Sequence, residues 1–354
     1  MMTVGIQGIG TAVPEHVVDQ RMVRSTVERV FGGRVADLDR LLSVFEHDHI
    51  HTRRFVCDPA WYAEDHGFAQ TNHVYATTAA DLAERAARAA CQGIDQEIAA
   101  VVVVSTTGIM TPSLDATLIQ RLGLSPHTLR IPIFGLGCAG GVAGLARAAD
   151  LARACNGAPV LFVAVEICSV TFRQSDTRTS NIVASSIFGD GAAAVVVSAQ
   201  PHTVALGSGI STLFSDTSDI MGWDVTNEGL SVRFSRDIPS FVRSHIPDVL
   251  SHAYRQWGVT ADDVSAIIAH PGGAKVLDAY AEAASMPTET FAHAREVLRT
   301  YGNMSSASVL FVLDRWYNDP NRQQRGYAVM AALGPGFSSE LLLLGLRDHQ
   351  RDNS

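Results

Sequence analysis

The chain has 354 residues, 47% of them hydrophobic and 18% charged, and a formal net charge of −9. That length allows one large domain or two closely packed ones, and the acidic balance excludes a basic nucleic-acid-binding surface. Five cysteines (Cys57, Cys91, Cys138, Cys155 and Cys168) include no CxxC pair, which argues against a disulfide framework and fits a reducing, cytoplasmic setting.

The opening MMTVGIQGIG lacks a basic segment running into an apolar core, so no signal peptide is expected. No uncharged apolar run approaches the roughly 20 residues of a membrane span. Residues 3–9 predict a strand, closed by Gly10 and Pro14. Residues 20–70 are polar and helix-prone. Within them His47, His49 and His51 alternate, but no cysteine or carboxylate set completes a metal site at a familiar spacing. They read as surface histidines, and no metal is expected. Residues 75–90 form an amphipathic helix with alanine on its inner face. Residues 99–105, AAVVVVS, predict a strand buried on both faces. A short helix follows over 117–122, and 129–134 reads as a buried run.

The stretch GLGCAGGVAGLARAADLARA, residues 135–154, sets Cys138 among Gly137, Gly140 and Gly141. Leu145, Ala148, Ala149 and Ala152 then recur at helical spacing. Residues 159–166 predict another buried strand, 188–191 a turn, and 192–197 a further strand. Near 200–209 the pattern restarts. A long helix spans 238–257 with Pro239 in its first turn. A strand at 264–269 ends on His270, and a helix follows from Lys275. Tyr301-Gly302-Asn303 leads into a helix over 305–316, and strands at 329–333 and 340–346 finish the chain. The second half thus repeats the first: strand, helix, strand, helix, strand, strand. A layered α/β fold is predicted in two halves, 1–199 carrying the cysteine and 200–354 carrying the histidine and asparagine, with no Gly-, Ser- or Pro-rich linker between them.

Three polar groups sit at element ends beside glycines, where α/β enzymes gather reactive groups. Cys138 falls at a helix start, where free N–H groups and the helix dipole favour a thiolate nucleophile. It reads alternatively as a small apolar cysteine in a glycine-rich contact. A Cys–His pair with His270 makes an activated nucleophile for acyl transfer, and Asn303 can orient the histidine or donate to a developing oxyanion. Singly, His270 reads equally as a satisfied strand-end histidine and Asn303 as a helix cap. Their coincidence is what points to a site.

GCAGG around Cys138, FGDGA at 188–192, HPGG at 270–273, YGNMSSAS at 301–308 and GPGFSSE at 334–340 resemble, in order, the motifs of type III polyketide synthases. These are the chalcone-synthase-like members of the thiolase superfamily, and the likeness runs from about residue 4 to 346. The resemblance implies a thiolase-like duplicated αβαβα layered fold and a homodimer. It implies that Cys138 takes a starter acyl group from an acyl-CoA and that His270 holds the cysteine as thiolate. His270 and Asn303 then bind the thioester oxygen of malonyl-CoA, stabilising the enolate left as carbon dioxide departs. Repeated condensation and cyclisation would give a pyrone, a resorcinol or a related ring. No cofactor is implied beyond the acyl-CoA and malonyl-CoA substrates.

Phe188 matches the family's aromatic gatekeeper, the plain alternative being a core phenylalanine before a turn. Thr107, Thr171, Gly222 and Ser305 fall where the family lines the growing-chain cavity. Val232 stands where plant members carry a second gatekeeper phenylalanine, and its smaller side chain leaves more room. The basic residues that grip CoA phosphates in plant members are unmatched. Arg53 and Arg54 remain as candidate phosphate contacts, and an acyl carrier protein becomes an alternative donor. With MGWDV at 221–225 and ALGPG at 332–336, these departures are closer to bacterial alkylresorcinol and alkylpyrone synthases, so a fatty acyl starter is expected. Two other functions share part of the pattern. An initiating β-ketoacyl-carrier-protein synthase has the same three residue types but normally an HQAN-like context for its histidine. A non-catalytic scaffold of the same fold has no reason to keep all three.

Overall fold

The computed structural model describes residues 2–46 and 49–346. In chain order its first half runs β1 (Val4–Ala12), β2 (His16–Asp19), α1 (Gln20–Phe31), α2 (Leu38–Leu42), β3 (Thr52–Phe55), α3 (Phe68–Ala90), β4 (Ala100–Val104), α4 (Leu114–Leu122), β5 (Leu129–Ile133), α5 (Gly140–Ala154), β6 (Val160–Ile167), α6 (Thr179–Ile187) and β7 (Asp190–Ser198). There follow β8 (Val204–Leu213), β9 (Met221–Thr226), β10 (Gly229–Phe234), α7 (Ile238–Trp257), β11 (Val264–Ala269), α8 (Ala274–Ala283), α9 (Ala292–Tyr301), α10 (Ser308–Tyr317), β12 (Gly326–Gly334) and β13 (Ser338–Leu346).

Every side chain of β4 is buried, and successive ones serve different layers. Val102 and Val104 pack with Leu145, Ala148 and Ala149 of α5. Val101 and Val103 pack with the alanine face of α3 (Ala79, Ala83, Ala86). The two-residue period of a strand thus becomes a helix layer on either side of the sheet. Nine strands join in the order β11-β12-β13-β8-β1-β7-β6-β4-β5. The central link is short, with Val4 opposite Leu206 and Gly5 opposite Ala205. Outward from it the same pairing recurs. On one side β1–β7 and β7–β6 are antiparallel and β6–β4 parallel. On the other, β8–β13 and β13–β12 are antiparallel and β12–β11 parallel. Helix α5 touches strands of both halves and also α10, so these two form the middle layer. α3 covers one outer face, and α7, with α8 against it, the other. The stack is α-β-α-β-α, and the duplication expected from element order is visible in the topology.

Small residues let the middle layer close. A Cβ on Gly141 would lie 2.3 Å from the Ser306 carbonyl oxygen, and one on Gly144 2.3 Å from the Phe162 ring. The helix after Cys138 therefore seats directly on the segment after Asn303.

Several expectations are corrected. Residues 129–134 are not buried: Leu129 is 50% exposed, Ile131 36% and Phe134 60%, because β5 ends the sheet and, unlike the other end strand β11, its side chains are left uncovered. Residues 20–70 are not simply helical, since β3 pairs with β2 from Asp19 opposite Thr52 to His16 opposite Phe55. α3 begins at Phe68 and α4 at Leu114, earlier than their apolar spacing indicates. His47 lies outside the described residues; among these no cluster of His, Cys, Asp or Glu is arranged to hold a metal. No described helix is long and apolar enough to cross a membrane.

Candidate active site

After β5 the chain turns through Gly135 (φ +95°) and Gly137 (φ +48°). The tight helical turn Gly137–Ala139 then sets Cys138 at the start of α5. Positive φ favours glycine at both turn positions. A Cβ on Gly137 would also lie 2.7 Å from Pro335, so the loop after β12 fixes the cysteine from above. Cys138 is 8% exposed, and its Sγ lies 3.6 Å from Ser305 Oγ. His270 follows the last residue of β11, and its N–H donates to the Ala331 carbonyl at 2.8 Å, extending the parallel ladder. Its imidazole is buried, and neither ring nitrogen has a hydrogen-bond partner among the described residues.

Asn303 is pinned on three sides. Its N–H donates to the Ile187 carbonyl at 2.7 Å, and its carbonyl accepts from Gly189 N–H at 3.0 Å. Its side-chain oxygen accepts from Ser305 N–H at 2.8 Å. The Nδ2 group reaches the Gly272 carbonyl at 3.4 Å, a long and weak bond, and the amide also hydrogen-bonds toward Cys138. Cys138, His270 and Asn303 all line one cavity of about 660 Å³. The three groups, distant in sequence, do meet.

Phe188, Gly222, Val232 and Ser305 line the same cavity. Val232 lies opposite Trp223 in the β9–β10 hairpin, and the Phe188 and Trp223 ring centroids are 6.2 Å apart. Thr171 instead lines a smaller apolar cavity of about 40 Å³ with Val18, Val23, Val27, Phe55 and Phe172; Phe188 and Val232 belong to both walls. Thr107 lines neither cavity. Its hydroxyl donates to Glu166 Oε2 at 2.9 Å and accepts from Ile167 N–H at 2.8 Å. Arg53 is fully buried, which overturns its expected contact with a CoA phosphate. Arg54 is partly exposed and lines neither cavity.

The electrostatics differ from the expectation of a thiolate favoured by the helix start alone. Burial pushes the Cys138 thiol up to about 11, although the Ser305 hydroxyl pulls the other way. Burial also pushes the His270 imidazole down to about 3. Desolvation outweighs the helix end, and an isolated charge is disfavoured on either group. Glu166 escaped the sequence reading. It is fully buried and held by Ser306 Oγ at 2.6 Å, Thr106 N–H at 2.9 Å and the Thr107 hydroxyl. Burial still raises it to about 7. A carboxylate inside the apolar run VLFVAVEI was the available signal.

Comparison with known proteins agrees over nearly the whole length. Residues 3–201 match the N-terminal domain of the chalcone and stilbene synthases, and residues 205–346 their C-terminal domain. The chain is 38% identical over 355 residues to a chalcone-synthase-like protein of Bacillus subtilis (strain 168), covering 96% of this chain and 97% of that one. It is 34% identical over 354 residues to the 1,3,6,8-tetrahydroxynaphthalene synthase of Streptomyces peucetius subsp. caesius, covering 96% and 92%. The solved 1,3,6,8-tetrahydroxynaphthalene synthase of Streptomyces coelicolor A3(2), a bacterial type III polyketide synthase, superposes with a TM-score of 0.92 at 29% identity, over 97% of this chain and 99% of that one. With both halves matched, the chain belongs to the chalcone and stilbene synthase family: it is a type III polyketide synthase, an acyltransferase of thiolase-like fold that condenses malonyl-CoA units decarboxylatively and iteratively and cyclises the product.

Proposed function

We propose that Cys138 is the nucleophile, that His270 exchanges its proton, and that His270 and Asn303 together hold the enolate oxygen. The carrying observation is that these three side chains line one cavity, with both His270 ring nitrogens unpartnered among the described residues and the Asn303 amide held only by a long bond to Gly272 and its contact toward Cys138. Cys138 Sγ gives its proton to His270 and attacks the starter thioester, and CoA leaves as the thiol on taking that proton back. Malonyl-CoA then loses carbon dioxide, and the bonding pair becomes an enolate whose oxygen accepts from His270 and Asn303. The enolate carbon attacks the Cys138 thioester and expels the cysteine sulfur, leaving a chain two carbons longer on CoA. Halves 1–199 and 200–354 each supply part of this set.

The apolar lining beyond Phe188 and Val232 suits the end of an aliphatic starter, and we read the starter as fatty acyl and the product as an alkylresorcinol or alkylpyrone. Arg233 and Arg236 line the main cavity and suit a phosphorylated pantetheine donor. We read that donor as acyl-CoA, with an acyl carrier protein as the competing source. The apolar edge strand β5 suits a second copy of the chain, giving a homodimer.

Incubation with malonyl-CoA and acyl-CoAs of graded length, followed by mass spectrometry, tests the whole reading. The native chain should give pyrones or resorcinols. Cys138→Ala should abolish condensation yet keep measurable malonyl-CoA decarboxylation, because the enolate site survives. Normal condensation by that variant would exclude Cys138 as nucleophile. A single condensation confined to carrier-protein substrates would instead favour an initiating synthase.

A further inference from the structure

Among the described residues strand β3 pairs only with β2, in a two-stranded ribbon beside the main sheet. Its alternate residues point inward, and one of them is Arg53, with no exposed surface. The guanidinium donates to the carbonyls of Ser185 and Phe188, the latter at 3.1 Å, and to Gln20 Oε1 at 2.5 Å. Gln20 Nε2 in turn donates to the Ser186 carbonyl at 2.9 Å. Two side chains thus satisfy three carbonyls at the end of α6, where a helix leaves its acceptors open. Burial works against the charge, and Asp190 supports it. All these contacts go to main-chain or carboxamide oxygens, so they fix backbone position.

The backbone so fixed carries the site. Phe188 and Asn303 form an isolated parallel bridge. Asn303 N–H donates to the Ile187 carbonyl, and Gly189 N–H to the Asn303 carbonyl. The Arg53 stem braces the other side of this bridge: a Cβ on Gly302 would lie 2.8 Å from Arg53 Cγ and 2.9 Å from Cδ. Arg53 does not line the cavity, whereas Phe188 and Asn303 do. The Cys138 backbone is held by other parts, the turn before α5 and Pro335, and its Sγ reaches the Asn303 segment at Ser305 Oγ.

We infer that Arg53 is a positioning residue for the decarboxylation step, clamping residues 185–188 against Gly302 so that the Asn303 amide and the Phe188 ring keep their places in the cavity. This rests on the reading of Asn303 as an enolate-oxygen donor. Loosening the clamp displaces Asn303 without moving Cys138, so enolate formation and cysteine acylation should separate.

Arg53→Lys keeps a cation but replaces a planar fork that spans three oxygens with a single nitrogen. In a Cys138→Ala background, Arg53→Lys should lower kcat for malonyl-CoA decarboxylation by about tenfold or more, since small displacements of a positioned group cost that much. KM for malonyl-CoA should stay within about twofold, the pattern of a lost transition-state contact. With Cys138 intact, single-turnover acylation by an acyl-CoA, followed by intact-protein mass spectrometry, should also stay within about twofold. Gln20→Ala removes the side-chain anchor of Arg53, disturbs the fold less, and should show the same split more weakly. Asn303→Ala in the Cys138→Ala background is the reference. Decarboxylation at the background rate in both folded clamp variants, judged by an unchanged thermal midpoint, overturns the inference. So does a parallel fall of acylation and decarboxylation, which marks general loss of structure. Undiminished decarboxylation by the Asn303→Ala reference overturns the reading of Asn303 itself, a failure distinct from that of the clamp.

Discussion

Cys138 and His270 sit where burial disfavours a charge on each, with the thiol raised to about 11 and the imidazole lowered to about 3. Moving one proton from sulfur to nitrogen changes the net charge of the pair by nothing. An ion pair of the proposed Cys138–His270 couple would avoid much of the desolvation cost that either lone ion would bear. Its population therefore does not depend on pH between those two values. A lone buried thiol behaves differently, because its thiolate fraction rises tenfold per pH unit until the pKa is reached. Alkylation of Cys138 by iodoacetamide should thus be nearly flat in the native chain between about pH 5 and 9. In His270→Ala it should be slower near neutrality and climb steeply toward pH 11. Labelling rates across that range, read by intact-protein mass spectrometry, check this, and identical profiles would remove His270 as the proton partner.

At the scale of elements, the β9–β10 hairpin sets how far an acyl chain can reach. Val232 and the Phe188 ring belong to the walls of both cavities, so a larger side chain at 232 would extend the partition between them. Val232→Phe should shift preference toward shorter acyl-CoAs, with kcat/KM across a length series as the measure, and an unchanged length optimum would discard the smaller cavity as the chain-end site. The hairpin itself was not legible in the sequence, nor was α6, whose TSNIVASSI lacks strong helix formers. The buried strands were legible, because β-branched runs such as β4 and β6 have no other use, and the long helix over 238–257 was read at its true bounds. Apolar composition alone misplaced β5, since it does not say which strand ends a sheet. Cys138, His270 and Asn303 stood out because glycines and strand ends isolate them. Arg53 was misread as a phosphate contact because two adjacent arginines look equally accessible, whereas strand alternation sends one of them inward.

At the scale of the whole molecule, the duplicated topology is complete in pairing except for β5, which has no counterpart beside β11 and ends the sheet. An exposed apolar edge strand invites pairing with another chain unless charge, proline or a bulge blocks it, and Pro132 takes a single N–H donor out of β5. The one charge on β5, Arg130, is turned to Asp115 of its own chain at 2.5 Å. Leu129, Ile131 and Phe134 are left facing outward. A second copy laid edge to edge would cover these side chains. It would also brace the segment leading to Cys138, because Phe134 directly precedes the glycine turn that positions that cysteine. The native chain of 37.9 kDa should therefore sediment as a dimer. Ile131→Glu combined with Phe134→Glu places two like charges against their own copies at the contact, and should shift sedimentation to the monomer while far-ultraviolet circular dichroism stays unchanged. A shared edge that braces the cysteine turn also predicts that the monomer loads acyl groups more slowly than the dimer. A native chain that sediments as a monomer at micromolar concentration, or a double variant that remains dimeric, would place the contact elsewhere on the surface.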